Sequence, residues 1–243
     1  MPGHPPRPPR STLTHPRHIR LLEAVRDATR GEDLAHDELH VLRVYRWAVR
    51  LAPEAGVEVD LAGATALVHD LVNIPKDHPD RPLGGEQSAL ASRGLLQAAE
   101  YRPEEIGCIV EAVRTSSWSR GHAPTSMLGA VLQDADRLDA IGAIGIARTF
   151  ATAQAMASRG TRGRFYDPGD PVAKTDRTLD DRRQAIDHFR VKLLGLAAGM
   201  HLPGARAEAR RRHQVMESYL TELEREVRHP DAEEPPCTTT STD

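Results

Sequence analysis

Apolar residues recur every three or four positions along most of the chain, which is the period of an α-helix. The pattern predicts helices over residues 17–30, 34–52, 60–73, 86–100, 103–118, 126–159, 180–197 and 204–228. Punctuation agrees with these limits. Pro53 and Gly56 close the second helix, and Pro75 stops the third. "PKDHPDRPLGG" is a loop, and Pro103 followed by Glu104 and Glu105 opens the fifth helix. The sixth is long enough to break near Gly142 or Gly145. Before the seventh, "RGTRGRFYDPGDPVAKTDRTLDD" lacks a period, and irregular segments of that length are often functional. In the last helix Val215, Met216, Tyr219, Leu220, Leu223 and Val227 form a stripe that reads as packing. The expectation is an all-α protein with one helical domain over 17–228. The Pro-rich, basic segment 1–16 and the polar segment 229–243 read as disordered tails.

Composition sharpens this picture in a few places. Of 243 residues, 39% are hydrophobic but only 4% aromatic, so the core is built of Ala, Leu, Val and Ile, which suits packed helices. The net charge of −3 argues against a nucleic-acid partner. Arg7, Arg10, Arg17 and Arg20 read as a solvated basic tail rather than a polyanion site. There are two cysteines, Cys108 and Cys237, the latter in a polar tail, which suits a reducing compartment. No apolar run has the length of a membrane span, and no secretory signal opens the chain. A cytoplasmic protein without a membrane partner is expected; a homodimer stays open.

Three helical segments carry side chains that the core alone does not explain. In "AHDELHVLRV", His36 and His40 share a helix face, and His40 is in line with Val44, Trp47 and Leu51. In "ALVHDLVNI", His69 and Asp70 are adjacent inside an aliphatic run, a costly place for an ionisable pair. In "LQDADRLDAIGAIGIAR", residues 132–148, Asp136 and Asp139 share a face while Asp134 turns away. A solvated acidic edge paired with Arg137 is the plain explanation of these aspartates, but the flanks are residues of close helix packing. Gly142 and Gly145 would let another helix approach. Two histidines and two carboxylates can hold one divalent ion with room for water, and imidazole with carboxylate suits Mn, Fe, Co, Ni, Zn or Mg.

These motifs resemble those of the HD-domain metal-dependent phosphohydrolases, an all-α superfamily named for its His-Asp pair. The likeness is strongest to a bacterial subfamily with HDxxHxxRV, an HD pair followed by Lys and His-Pro, and QDADRLDAIGAIGIAR, and it spans about residues 34–195. The resemblance implies a helical bundle with the metal between core helices. It implies His40, His69, Asp70 and Asp136 as ligands, and it selects Asp136 over Asp134 and Asp139. Carried over with them are His36 and Asp37 as supporting or substrate residues, and Arg43, Lys76 and Arg81 as basic positions that bind phosphate or pair with carboxylates. His188 and Lys192 are a pair that closes over a phosphate or else a plain surface helix. One departure is Ser116-Ser117-Trp118-Ser119, where relatives often read His-Ser-Phe-Ser.

The expected activity is hydrolysis of a phosphate ester or anhydride in a nucleotide, with manganese first among the metals. A bound water would be deprotonated with help from Asp70 or Asp37, and Lys76 and Arg43 would neutralise the developing charge. Two alternatives stand beside this one. A di-iron HD oxygenase would need further histidine ligands, and only His78 and His122 lie in the interval between the HD pair and Asp136. A nucleotide sensor would bind without turnover.

Overall fold

The computed structural model describes residues 13, 15–28, 34–116 and 123–227. Residues 228–243, most of 1–14, and Ser117, Trp118, Ser119 and His122 lie outside the described residues. The fold is all-α. The main helices are α1 (Pro16–Ala28), α2 (Glu38–Leu51), α3 (Val59–Val68), α4 (Gly84–Ala98), α5 (Pro103–Arg114), α6 (Met127–Asp139) and α7 (Gly142–Ser158). A π-helical turn, Phe189–Leu193, then runs into the single-turn α8 (Leu194–Leu196), and α9 (Pro203–Val227) closes the domain. The described residues contain no strand, only isolated bridges such as Arg164 with Gln184. None of their helices is long and apolar enough to cross a membrane.

α3 is the centre. Its sequence, VDLAGATALV, is apolar on every side, and a helix of that kind is stable only when buried all round. α1, α2, α5 and α6 pack around it. Gly63 permits the closest approach: a methyl group there would lie 2.8 Å from Tyr45 and 2.9 Å from His18 Nε2. One turn earlier on the same helix, Asp60 gathers Arg17, His18 and Tyr101, so α1 is fastened to α3 by a buried polar cluster.

Two helix limits differ from the expected ones where a backbone group meets a side-chain partner, and a third where a glycine restarts the chain. α2 begins at Glu38 rather than 34, because Asp37 caps it and accepts from His40 N at 2.9 Å. α3 stops at Val68, not 73. His69 is its C-cap, and Val72 N donates to Ser88 Oγ at 3.0 Å. His69 and Asp70 therefore stand on the turn past the helix end and not within it. The predicted 126–159 helix breaks at Ala140–Ile141, and Gly142, at φ +75°, restarts the chain as α7 against Arg212 of α9. Gly145 faces the Ala140 carbonyl across the break rather than a second helix. Asp134 turns away from the other two aspartates, as expected. It accepts from the amides of His201 (2.9 and 3.0 Å) and Leu202 (2.8 Å), fixing the approach to α9 onto α6. Arg137 donates to the Gly199 carbonyl and to Gln133.

Candidate metal centre

Three elements converge on one point. α2 contributes His40, the end of α3 contributes His69, and the last turn of α6 contributes Asp136, while Asp70, next to His69, lies outside this group of three. One atom each from His40, His69 and Asp136 lies within 4.8 Å of the others. Asp136 Oδ1 is 3.8 Å from His40 Nε2 and 3.9 Å from His69 Nε2, and Asp70 Oδ2 is 4.0 Å from His40 Nε2. Two metal–ligand bonds of about 2.1 Å span such separations. Both α3 and α6 end here, and the negative ends of their dipoles favour a cation.

The imidazoles are already set for that role. His40 donates through Nδ1 to Asp139 Oδ2 at 2.7 Å, and His69 through Nδ1 to the Ala66 carbonyl at 2.7 Å. Each ring so fixed turns Nε2 toward the shared point, the arrangement of a metal-binding histidine held by an outer partner. Burial and the nearby Arg148 guanidinium hold the His40 pKa below its ordinary value, which keeps the ring neutral and its lone pair available. Burial would raise Asp136, but His69, His40, Arg148 and Lys192 outweigh it and keep the carboxylate ionised. The donor set fits a divalent cation of borderline or hard character.

Asp139 is the residue that sequence reasoning left aside. Fully buried, it takes His40, Arg43 (Nε at 2.6 Å) and Arg148 (2.7 Å). Burial opposes its charge, yet these donors hold its pKa well below the carboxylate range. Asp139 is thus the carboxylate partner of His40; Asp37 is occupied in capping α2. Of the two roles open to Arg43, the structure supplies pairing with a carboxylate. His36 lies edge-on to His40, their ring centroids 5.9 Å apart.

Beyond Asp136 stands a group of cations. Burial lowers the Lys192 pKa to about 8; Asp136 opposes the fall, and Arg81, Lys76 and Arg148 add to it. Arg81 donates to Asn73 Oδ1 and the Ile74 carbonyl. Among the described residues, neither Arg81 nor Lys192 has a carboxylate at ion-pair distance. Lys76, by contrast, donates to Asp181 Oδ2 at 2.7 Å and lies 3.2 Å from His188 Nδ1. His188 precedes the π-helical turn and Lys192 lies within it, and both stand with these cations rather than on a plain surface helix. Ser116 is buried and its hydroxyl donates to the Val113 carbonyl at 2.8 Å. His78 is exposed and accepts from Asp80 N, outside the ligand group.

The chain belongs to the HD-domain family. The HD-domain model matches residues 38–141, which include every ligand candidate. The curated protein YpgQ of Bacillus subtilis is 31% identical over 205 residues, 83% of this chain and 89% of the relative. A crystal structure of that protein in complex with ADP superposes with a TM-score of 0.66 at 30% identity, covering 87% of this chain and 98% of the other. A Lactobacillus plantarum protein gives a TM-score of 0.69 at 29% identity, covering 88% and 98%. An HD-superfamily hydrolase of Bacillus thuringiensis gives 0.63 at 28%, covering 86% and 96%.

Proposed function

We propose that the protein is a metal-dependent phosphohydrolase that cleaves a phosphate ester or anhydride of a nucleotide, using one divalent ion, manganese before Mg, Co, Ni, Fe or Zn. One observation carries the reading: two fixed imidazoles and an ionised carboxylate converge beside Arg81 and Lys192, cations without a carboxylate at ion-pair distance among the described residues. A cation seat next to an anion seat suits a phosphate bound through a metal. The relative crystallised with ADP and the relative described as a hydrolase point the same way.

His40, His69, Asp136 and Asp70 would hold the ion. Bound there, it would polarise a phosphoryl oxygen and lower the pKa of a water. Asp70, which is partly exposed and free of helix-capping duty, receives the proton of the attacking water. Arg81 and Lys192 bind the non-bridging oxygens and take up the charge that develops as the bond from phosphorus to the leaving oxygen breaks. Lys76 and Arg43 act from where Asp181 and Asp139 hold them. The departing group is a nucleoside, phosphate or pyrophosphate according to which bond is in line.

A product assay tests this. Manganese-loaded protein is incubated with nucleoside mono-, di- and triphosphates, and phosphate is resolved from pyrophosphate. Release that disappears in Asp70→Ala supports the reading. Metal-loaded protein that releases neither product from any of them refutes it.

A further inference from the structure

The irregular segment after α7 is held at both ends by two consecutive residues of the loop that follows His69 and Asp70. Asp77 accepts from Arg159 at 2.7 Å and from the Thr161 hydroxyl at 3.4 Å, at the segment's entry. Lys76 donates to Asp181 Oδ2 and, at 3.3 Å, to the Asp181 carbonyl, at its exit. Between these points the segment is tied internally. Buried Asp170 accepts from the amides of Lys174 and Thr175, the Thr175 hydroxyl and Arg177, and Arg177 forks onto Asp187. Asp187 also accepts from Asp180 N at 2.7 Å. Asp181 therefore rises from a rigid base, although it is 105 residues from Lys76 in sequence.

Its second partner is His188, whose Nδ1 lies 2.7 Å from the same carboxylate oxygen. The bond from His188 and the ammonium of Lys76 keep Asp181 well below the carboxylate range, so His188 Nδ1–H is the donor. That fixes the ring and leaves Nε2 as its outward nitrogen. In the turn that follows, Leu194 N donates to Phe189 O, five residues back. Such π-turns often mark functional sites.

We propose that Asp181 is a positioning residue: by holding Lys76 through Nζ and His188 through Nδ1, it fixes the wall that receives the substrate's phosphate. The inference rests on the phosphohydrolase reading for its purpose, but not for its geometry. Asp181 touches neither metal nor substrate and acts through its two partners.

The test uses full-length metal-loaded protein carrying Asp181→Asn, Asp181→Glu, His188→Gln, or Asp181→Asn with His188→Gln. With the nucleotide turned over best, Asp181→Asn raises KM about tenfold while kcat stays within about threefold, the mark of lost binding. Asp181→Glu recovers part of the loss, and the double variant is less impaired than the two single losses combined would make it. A readout independent of turnover is the His188 titration followed by NMR in magnesium-loaded protein. The charged groups facing His188 are Asp181, Lys76 and Lys192. Removing the only anion among them moves the His188 midpoint to lower pH. A parental KM with an unmoved His188 midpoint overturns the proposal, because Asp181 would then only tie down the segment. If the parent hydrolyses no nucleotide, the phosphohydrolase reading falls, and the NMR shift alone upholds or overturns the positioning role. The Asp77–Arg159 contact remains in every variant, and a thermal melt checks the fold.

Discussion

Replacing Asp139 by Asn changes one charge and almost no volume, yet three donors lose their anion. His40 Nδ1 keeps a neutral acceptor at best, while Arg43 and Arg148 face an amide that itself donates. Removing one partner of a buried ion pair costs about 3–5 kcal/mol. Both guanidinium groups are partly solvated, so the lower end, about 3 kcal/mol, applies. For a domain of this size that lowers Tm by about 6–12 °C. The metal effect is separate: loss of a carboxylate behind a ligating histidine weakens metal binding by about 10–100-fold. The sign with pH also follows. Asp139 is held below the ordinary carboxylate pKa, so its contribution is complete above about pH 4 and fades as pH falls further. Parent and Asp139→Asn melts should therefore converge on acidification below about pH 4. Differential scanning calorimetry across pH and manganese titration against a competing chelator measure both effects. A variant that melts within 2 °C of the parent at pH 7 and binds manganese with about the parental affinity refutes the reasoning.

Other perturbations separate fold from site. Asp134→Ala removes the acceptor for the His201 and Leu202 amides, so stability falls by about 2–3 kcal/mol while manganese affinity stays near parental, as thermal melts and metal titration would show. Gly63→Ala drives a methyl group against Tyr45 and His18, at a cost of about 1–3 kcal/mol or more, read from urea unfolding. Lys192, with its pKa near 8, is cationic below that pH and neutral above it. Pyrophosphate affinity measured by calorimetry should then decline between about pH 7 and 9, and Lys192→Gln should be weaker at pH 7 and lack that component of the decline.

The helical class was legible because a 3.6-residue period survives in almost every segment. The helix ends were legible only where the stopping residue is local. Pro103 and Gly142 announce themselves. The end of α3 does not, since it depends on Ser88 Oγ receiving Val72 N from another element. In the site, His40, His69 and Asp136 were reached by helical spacing together with the family resemblance, and the geometry brings them together. Asp139 was within reach, one turn after Asp136 on the same face. Arg148 ends the same motif but points inward only because the chain breaks and restarts at Gly142. Asp181 gave no local signal, because its role depends on a lysine 105 residues earlier. Asp37 reads from the sequence as a supporting or substrate residue and as a proton acceptor, whereas the backbone at the start of α2 makes it the cap.

The central claim is that His40, His69, Asp70 and Asp136 hold a single divalent ion on which hydrolysis depends. Metal analysis of the protein as purified, followed by manganese titration of the parent and of His69→Ala, tests it most directly. The account predicts one ion per chain in the parent and loss of that binding in the variant. Two irons per chain, or manganese binding unchanged by His69→Ala, would contradict it.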